Sequence, residues 1–279
     1  MIKTHQEELE KIINNALKED LGTCGDITTQ AIFPTTKKIK GFVQSESSGI
    51  LAGIEIAAKV FEMVDSSTVF KAEFKDGDKV KEGQLIAKLE GDVCGILSAE
   101  RVALNFLQHL SGIATLTSKF VKKVKPYKVD IYDTRKTTPG LRLIEKYAVK
   151  VGGGCNHRMG LYDAILIKDN HIAGAGSVRR AIEFACKGCP DKKIEVETEN
   201  LEQVKEALET GVDIIMLDNM DVKTIKKAVE IVDGRTILEA SGGITLDNVE
   251  EVAKTGVDRI SVGAITQAST PLNISIELK

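Results

Sequence analysis

The sequence predicts an α/β protein in two parts: a mixed α+β region over roughly the first hundred residues, then a series of parallel βα units of the kind that builds a barrel. Two observations predict the second part. Apolar runs VDIY, AILI, IEVE, IIML, TILE and RISV recur with helical periodicity between them, the last four starting near residues 194, 214, 236 and 259. An internal echo, LETGVDIIM at 208–216 and AKTGVDRIS at 253–261, joins in each case a helix end, a C-cap glycine and the next strand. A third observation sets the first part off: its helices and strands follow no regular order.

In chain order, residues 3–19 read as a charged amphipathic helix rather than a signal peptide, 39–45 as a strand and 54–64 as a helix. Residues 74–91 alternate apolar and polar side chains around Gly77 and Gly83, as a β-hairpin with tight turns would. The alternation resembles the hammerhead of biotinyl and lipoyl carriers. Those carriers present a modifiable lysine, usually beside methionine, and the chain has no Met-Lys pair, so a plain hairpin scaffold is the expectation. Ser98 reads as the cap of a helix that Gly112 interrupts and that resumes to Pro126, a helical hinge between the two parts. Strands at 129–132 and 164–167 then open the βα series.

At 279 residues the chain should bury roughly 75% of the surface its unfolded form exposes, so its stability should need no disulfides. Five cysteines, an odd number, and the lack of an apolar run of eighteen point to a reduced cytoplasm and no membrane. A net charge of -3 with 4% aromatics argues against a nucleic-acid partner.

The segment 133–171, DTRKTTPGLRLIEKYAVKVGGGCNHRMGLYDAILIKDNH, concentrates Arg135, Lys136, Arg142, His157, Arg158 and Lys168. Arg135 and Lys136 follow one predicted strand and Lys168 closes another, so strand ends aim positive charge at one place and predict binding of a multiply charged anion. In a βα barrel reactive side chains belong at the C-terminal strand ends, which here read Arg135/Lys136, Lys168, Glu197, Asp218 and Ser241-Gly242-Gly243. Any one polar strand end is ordinary; five with alternating cationic and carboxylate character are not. Gly242, Gly243 and Gly263 let backbone N–H groups close on an oxyanion where barrels often hold phosphate. Arginine forks match carboxylates and lysines act as point charges. Glu197 and Asp218 are left to accept from sugar hydroxyls, to stabilise an oxocarbenium-like centre or to help hold Mg2+. The residues alone therefore read as a site for transfer or cleavage of a phosphorylated sugar.

Along essentially its whole length the chain resembles quinolinate phosphoribosyltransferase, also called decarboxylating nicotinate-nucleotide pyrophosphorylase. The likeness is carried by EDLGTCGDITT at 19–29, AERVALN at 99–105, SGIAT at 111–115, DTRKTTPGLR from Asp133, Asn156-His157-Arg158, LIKDNH at 166–171, EVET at 195–198, MLDN at 216–219 and EASGG at 239–243. The resemblance implies an N-terminal α/β sandwich domain (1–110, joined by 268–279) and an incomplete β/α barrel of six or seven strands (111–267), the type II phosphoribosyltransferase architecture. It further implies a homodimer with shared sites and conversion of quinolinate and phosphoribosyl pyrophosphate, with Mg2+ and no organic cofactor, to nicotinate mononucleotide, pyrophosphate and carbon dioxide. By the same resemblance Arg135, Lys136, His157 and Arg158 form the quinolinate pocket, with Arg101 entering from a partner subunit. Lys136 and Lys168 also meet the pyrophosphate or the transferring centre. Glu197 and Asp218 serve ribose and magnesium, and Ser241, Gly242, Gly243 and Gly263 cradle the 5-phosphate.

Other readings start from particular residues. Lys168 at a strand end is what a Schiff-base aldolase needs; a phosphoribosyltransferase of a related ring acid would not decarboxylate; a non-enzymatic binding protein would have little use for both the carboxylates and the basic cluster. Cys186 and Cys189, with Cys155 and His157, have a zinc-like spacing but lack a second compact pair. Cys24 and Cys94 read as small buried residues, His5 and His109 as ordinary surface or interface histidines, and Asn170 and His171 either as supports of a loop or as direct contacts. Arg142 either enters the site or caps the turn after Pro139-Gly140.

Where the family commonly has histidine after GAIT, this chain has Gln267, which can hydrogen-bond a phosphate but carries no charge. Gln267→His is accordingly expected to tighten phosphoribosyl pyrophosphate binding by less than about tenfold, or ~1.4 kcal/mol, in a calorimetric titration.

Overall fold

A computed structural model describes residues 5–279. Of the helix expected at 3–19, residues 3 and 4 lie outside the described residues. The elements are α1 (Gln6–Leu21), α2 (Ile27–Ile32), β1 (Lys38–Ser45), β2 (Gly49–Ile50), α3 (Ile54–Val64), β3 (Val69–Ala72), β4 (Lys79–Val80), β5 (Leu85–Asp92) and α4 (Val93–Val124). There follow β6 (Asp130–Tyr132), α5 (Arg142–Val151), β7 (Ile165–Ile167), α6 (Asp169–Ala175), α7 (Val178–Gly188), β8 (Ile194–Thr198), α8 (Leu201–Glu209) and β9 (Ile214–Asp218). The chain closes with α9 (Val222–Val232), β10 (Ile237–Ser241), α10 (Val249–Ala253), β11 (Arg259–Ser261), α11 (Ala264–Gln267) and β12 (Ile274–Leu278). No helix among the described residues is long and apolar enough to cross a membrane.

These elements sort into two compact units. One contains the described residues up to Ser118, Thr138–Gly153 and Ala268–Lys279; the other contains Lys119–Thr137 and Gly154–Gln267. The division expected at 110/111 falls inside α4, and residues 138–153, expected in the barrel, cluster with the first unit.

The first unit is built on an antiparallel sheet in the order β12-β1-β5-β3. Alternate residues along much of β1 and β5 are buried, as period-two patterning requires. α1 buries Leu9, Ile13 and Leu17, one stripe at a spacing of four. The motif at 26–29 is a helix cap: Asp26 accepts from the Thr29 N–H and hydroxyl. Ser111 Oγ accepts from the Ala52 N–H at 3.0 Å and Thr115 Oγ1 from the Ile50 N–H at 2.8 Å, so the SGIAT motif ties the chain at 50–52 to α4.

Three local expectations are corrected. The 74–91 segment has its turns at Gly77 and Gly83, both with positive φ, but is not a hairpin: β4 pairs with β2, and β5 with β1 and β3. The helix expected from Ser98 begins at Val93, where Asp92 Oδ1 accepts from the Cys94 N–H at 2.9 Å and supplies the cap. Gly112 does not interrupt α4, which is continuous over 32 residues. It is small for a different reason: a Cβ there would lie 2.3 Å from the Thr270 carbonyl oxygen, because the C-terminal segment crosses the helix at that point. Leu272 N–H donates to Gln108 O, and Gln108 Nε2 to Ile274 O, along the same crossing.

The second unit is a six-stranded, all-parallel sheet in the order β6-β11-β10-β9-β8-β7. β6 and β7 lie at its two ends, which makes it an incomplete barrel. β8, β9, β10 and β11 begin at 194, 214, 237 and 259, within a residue of the positions the apolar runs predict. Gly211 and Gly256, the glycines of the echo, both adopt positive φ after their helices. Strands covered on both faces read as near-continuous apolar runs, and Val196, Ile215, Leu217, Leu238 and Ile260 are buried accordingly.

Gly112→Ala is expected to destabilise the protein by about 1–3 kcal/mol, because the clash is with backbone that cannot turn aside. A urea denaturation midpoint lowered at unchanged slope is the outcome that checks it.

Candidate active site

Period two along the barrel strands decides which side chains share one face. Glu195 and Glu197 share a face of β8, Met216 and Asp218 of β9, Glu239 and Ser241 of β10, and Ser261 closes β11. The upper members, Glu197, Met216, Asp218, Ser241 and Ser261, line a cavity of about 340 Å3. Arg135 and Lys136 enter it after β6, His157 and Arg158 before β7, and Lys168 after β7. Strand ends and the loop before β7 thus bring together four of the cations that the sequence singled out, the histidine, both carboxylates and the serine, while Arg101 and Arg142 do not line this cavity.

A second cavity of about 440 Å3 adjoins the first; Lys168, Glu197 and Asp218 line both. Lys168 Nζ pairs with Glu197 Oε2 at 2.6 Å, and Asn219 Nδ2 donates to Asp218 Oδ2 at 2.7 Å. The turn that aims Lys168 is set by His171, whose Nδ1 accepts from the Lys168 N–H at 2.9 Å. His171 is therefore a support of this turn, one of its two expected roles.

The strand-end loops are tied to β6 through Asp133, a carboxylate with no exposed surface. It accepts from Asn156 Nδ2 at 2.6 Å and from the His157 N–H at 2.8 Å, while Cys155 exchanges backbone bonds with Ile131 and Asp133. His157 Nδ1 accepts from the Arg158 N–H at 2.8 Å, and Nε2 lies 2.9 Å from Glu195 Oε2 and 3.6 Å from Glu239 Oε1. Arg158 Nη1 donates to the Ala164 carbonyl at 2.9 Å. Burial and the adjacent Arg135 guanidinium both lower the Arg158 pKa, so two like charges are held together where solvent shields them poorly.

Ser241 reaches the first cavity, whereas Gly242, Gly243 and Gly263 are not among the residues that line it. Gly242 has φ +93°, and a Cβ there would meet the Asn219 side chain, so it also serves the packing of the β9 and β10 ends. Arg101 stands exposed on α4 in the first unit, and Arg142 opens α5 in that same unit. Gln267 is exposed on α11.

Several secondary readings are revised. Cys24 is exposed and Cys94 half-buried, so neither is the fully buried residue expected. His109 is half-buried, and its Nε2 lies 2.8 Å from Glu145, whose side chain has no exposed surface. Cys186 and Cys189 are exposed at the end of α7, away from any group of three metal-ligating side chains among the described residues. Three interior residues escaped attention, Asp133, Glu195 and Glu239. Their signal is a carboxylate within an apolar strand run or directly after one, where charge is costly unless paired.

The donor set bears on Mg2+. Glu197 and Asp218 supply two carboxylates at a cavity border and belong to no three-ligand cluster among the described residues. That fits Mg2+, which takes one or two carboxylates and completes its shell with phosphate oxygens and water.

The fold and site define a barrel enzyme for a substrate pair rich in negative charge. Residues 113–277 match the family model for the quinolinate phosphoribosyl transferase C-terminal domain, and residues 26–111 match that for the N-terminal domain. A probable nicotinate-nucleotide pyrophosphorylase (carboxylating) of Bacillus subtilis is 43% identical over 272 residues, 97% of this chain and 93% of the relative. A mitochondrial quinolinate phosphoribosyltransferase (decarboxylating) of Nicotiana glauca is 42% identical over 97% of this chain and 82% of its own. The crystal structure of nicotinate-nucleotide pyrophosphorylase from Ehrlichia chaffeensis superposes with a TM-score of 0.94 at 44% identity, covering 97% of this chain and 98% of that one. The chain belongs to the quinolinate phosphoribosyltransferase family.

Burial, then the nearby Glu195 carboxylate, pushes the Glu239 carboxyl up to about 7. A raised folded-state pKa means that the unfolded chain releases this proton first, so the contribution to stability is present in acid and is lost as pH rises toward and through 7. Between about pH 5 and 8, wild-type protein should lose more of its urea midpoint than Glu239→Gln, which cannot titrate. Parallel pH profiles for the two proteins would contradict this assignment.

Proposed function

We propose that the chain catalyses decarboxylating phosphoribosyl transfer, converting quinolinate and phosphoribosyl pyrophosphate to nicotinate mononucleotide, pyrophosphate and carbon dioxide in de novo NAD biosynthesis. One observation carries the reading: Arg135, Lys136 and Arg158 line one cavity whose border with the next is formed by Lys168, Glu197 and Asp218. Guanidinium forks match carboxylates, and quinolinate carries two neighbouring carboxylates. Membership of the family supplies the ribosyl donor.

Arg135 and Arg158 clamp the ring acid and Lys136 adds a point charge, so that the pyridine nitrogen faces the anomeric carbon in line with the departing pyrophosphate. The nitrogen–carbon bond forms as the carbon–oxygen bond to pyrophosphate breaks, and the electron pair leaves with pyrophosphate. Glu197 and Asp218 face the positive charge that develops on the ribose, and Lys168 faces the leaving group. Mg2+, held by Glu197 and Asp218 with substrate oxygens, would neutralise phosphate charge. Once the nitrogen is quaternised, the adjacent carboxylate leaves as carbon dioxide. Its bonding electrons remain as a carbanion beside the positive nitrogen and are then protonated; the substrate is its own electron sink, and no organic cofactor is required.

A Schiff-base role for Lys168 is not favoured. The lysine is engaged by a carboxylate 2.6 Å away, whereas an amine nucleophile is activated in an apolar pocket or beside another cation. The resemblance further supports a homodimer in which Arg101 of one subunit serves the other's site. Five free cysteines suit a reducing compartment and support a cytoplasmic location.

Product analysis with ring-labelled and carboxyl-labelled quinolinate, phosphoribosyl pyrophosphate and Mg2+ tests the reading. Nicotinate mononucleotide and carbon dioxide are expected in equal amounts. A nucleotide that keeps both carboxylates, or no product from protein that still binds phosphoribosyl pyrophosphate, would refute it.

A further inference from the structure

Lys136 lines the substrate cavity from a segment that the sheet no longer holds. β6 is three residues long and ends the sheet with β11 as its neighbour, and the two part company where the Val262 N–H donates to the Tyr132 carbonyl at 2.9 Å. Asp133 is still tied, to Asn156 and His157. Beyond it the chain leaves the sheet through Thr134, Arg135 and Lys136. Lys136 is exposed, and a lysine stem has more rotamer freedom to lose than most side chains when its ammonium must be aimed.

The turn after β11 supplies the missing order. The Thr266 hydroxyl donates to the Lys136 carbonyl at 2.7 Å, joining residues 130 positions apart. Its approach to the Gly263 carbonyl is longer, 3.4 Å, so the one hydrogen the hydroxyl can give serves Lys136. The Lys136 N–H donates in turn to Thr134 Oγ1 at 3.0 Å, and both backbone polar groups of the residue are thereby held. The stem is seated too. A Cβ on Gly263 would lie 3.2 Å from Lys136 Cδ, so the lysine passes over bare glycine backbone that a larger residue would deny it. Thr266 itself is 4% exposed, and a buried β-branched side chain keeps its hydroxyl in one direction. We infer that Thr266 is a positioning residue for the reaction: it acts through the Lys136 backbone, with Gly263 beneath the stem, to aim the Lys136 ammonium into the substrate cavity. The proposed reaction enters only as the identity of the anion that Lys136 meets; the tie between Thr266 and Lys136 does not depend on it.

A double-mutant cycle in the full chain tests it, read as kcat/KM for quinolinate and as the affinity for pyrophosphate alone in a calorimetric titration. Thr266→Val keeps the shape and removes the hydroxyl; it should lower both quantities at least about threefold, and Thr266→Ser, which keeps the hydroxyl, should recover most of the loss. In the Lys136→Met background, where there is no ammonium to aim, Thr266→Val should cost less than about 1.5-fold. A tie that serves the fold alone would cost the same in both backgrounds, and that result overturns the inference. So does a folded Thr266→Val that matches wild type, or a Lys136→Met protein that matches wild type in both readouts. Should Thr266→Val fail to fold, Thr266→Ala takes its place in the cycle. Should wild type not turn over quinolinate, the functional reading falls, and the cycle read on pyrophosphate binding still decides the Thr266–Lys136 link.

Discussion

The Asp133 carboxylate is the constraint on which the site depends. It is wholly buried at the end of β6, and it accepts from the Asn156 side chain and the His157 N–H. A buried carboxylate deprived of its donors costs several kcal/mol, on the order of 3–5 for a broken buried ion pair, so the segment 155–157 cannot drift from the strand without a large penalty. That tether joins the two sources of positive charge. Arg135 and Lys136 follow β6 directly, and Arg158 follows the residues that Asp133 holds. Guanidinium groups that repel one another remain neighbours because their backbones are fixed by a bond that neither of them makes.

Much of the architecture was legible in the sequence because it is local. The apolar runs located the barrel strands to within a residue, and Gly211 and Gly256 marked helix ends by a backbone conformation that glycine adopts without strain. The strand ends also announced the site, since Lys168, Glu197 and Asp218 each close an apolar run. What was not legible depends on partners far along the chain. Gly112 read as a helix breaker because nothing nearby reveals that Thr270 crosses the helix there. The 74–91 segment read as a hairpin because alternation does not say which strand is the neighbour, and β2 and β1 claimed its halves. Asp133, Glu195 and Glu239 lay inside quoted motifs but were passed over, because a carboxylate in an apolar run shows its partner only in three dimensions.

The two adjoining cavities give the site its division of labour. Lys168, Glu197 and Asp218 stand at the common border, at the ends of three consecutive strands of the sheet, β7, β8 and β9. Side chains at parallel strand ends are held by the sheet rather than by flexible loops, which suits groups that must face a reacting centre without rearranging. Arg135 and Arg158 line the first cavity and not the second. At the common border Lys168 and Glu197 meet at 2.6 Å, so part of the charge gathered at this barrel end is already paired.

The crowding of Arg135 and Arg158 bears on how the protein behaves outside the reaction. A cavity lined by Arg135, Lys136, Arg158 and Lys168 favours anions, and any anion that binds the native state and not the unfolded chain shifts the folding equilibrium by mass action. Buffer composition therefore acts as a thermodynamic variable for this molecule: phosphate, sulfate or a dicarboxylate in the storage solution becomes part of its conformational stability. Melting temperatures of family members measured in different salts then compare solutions as much as sequences.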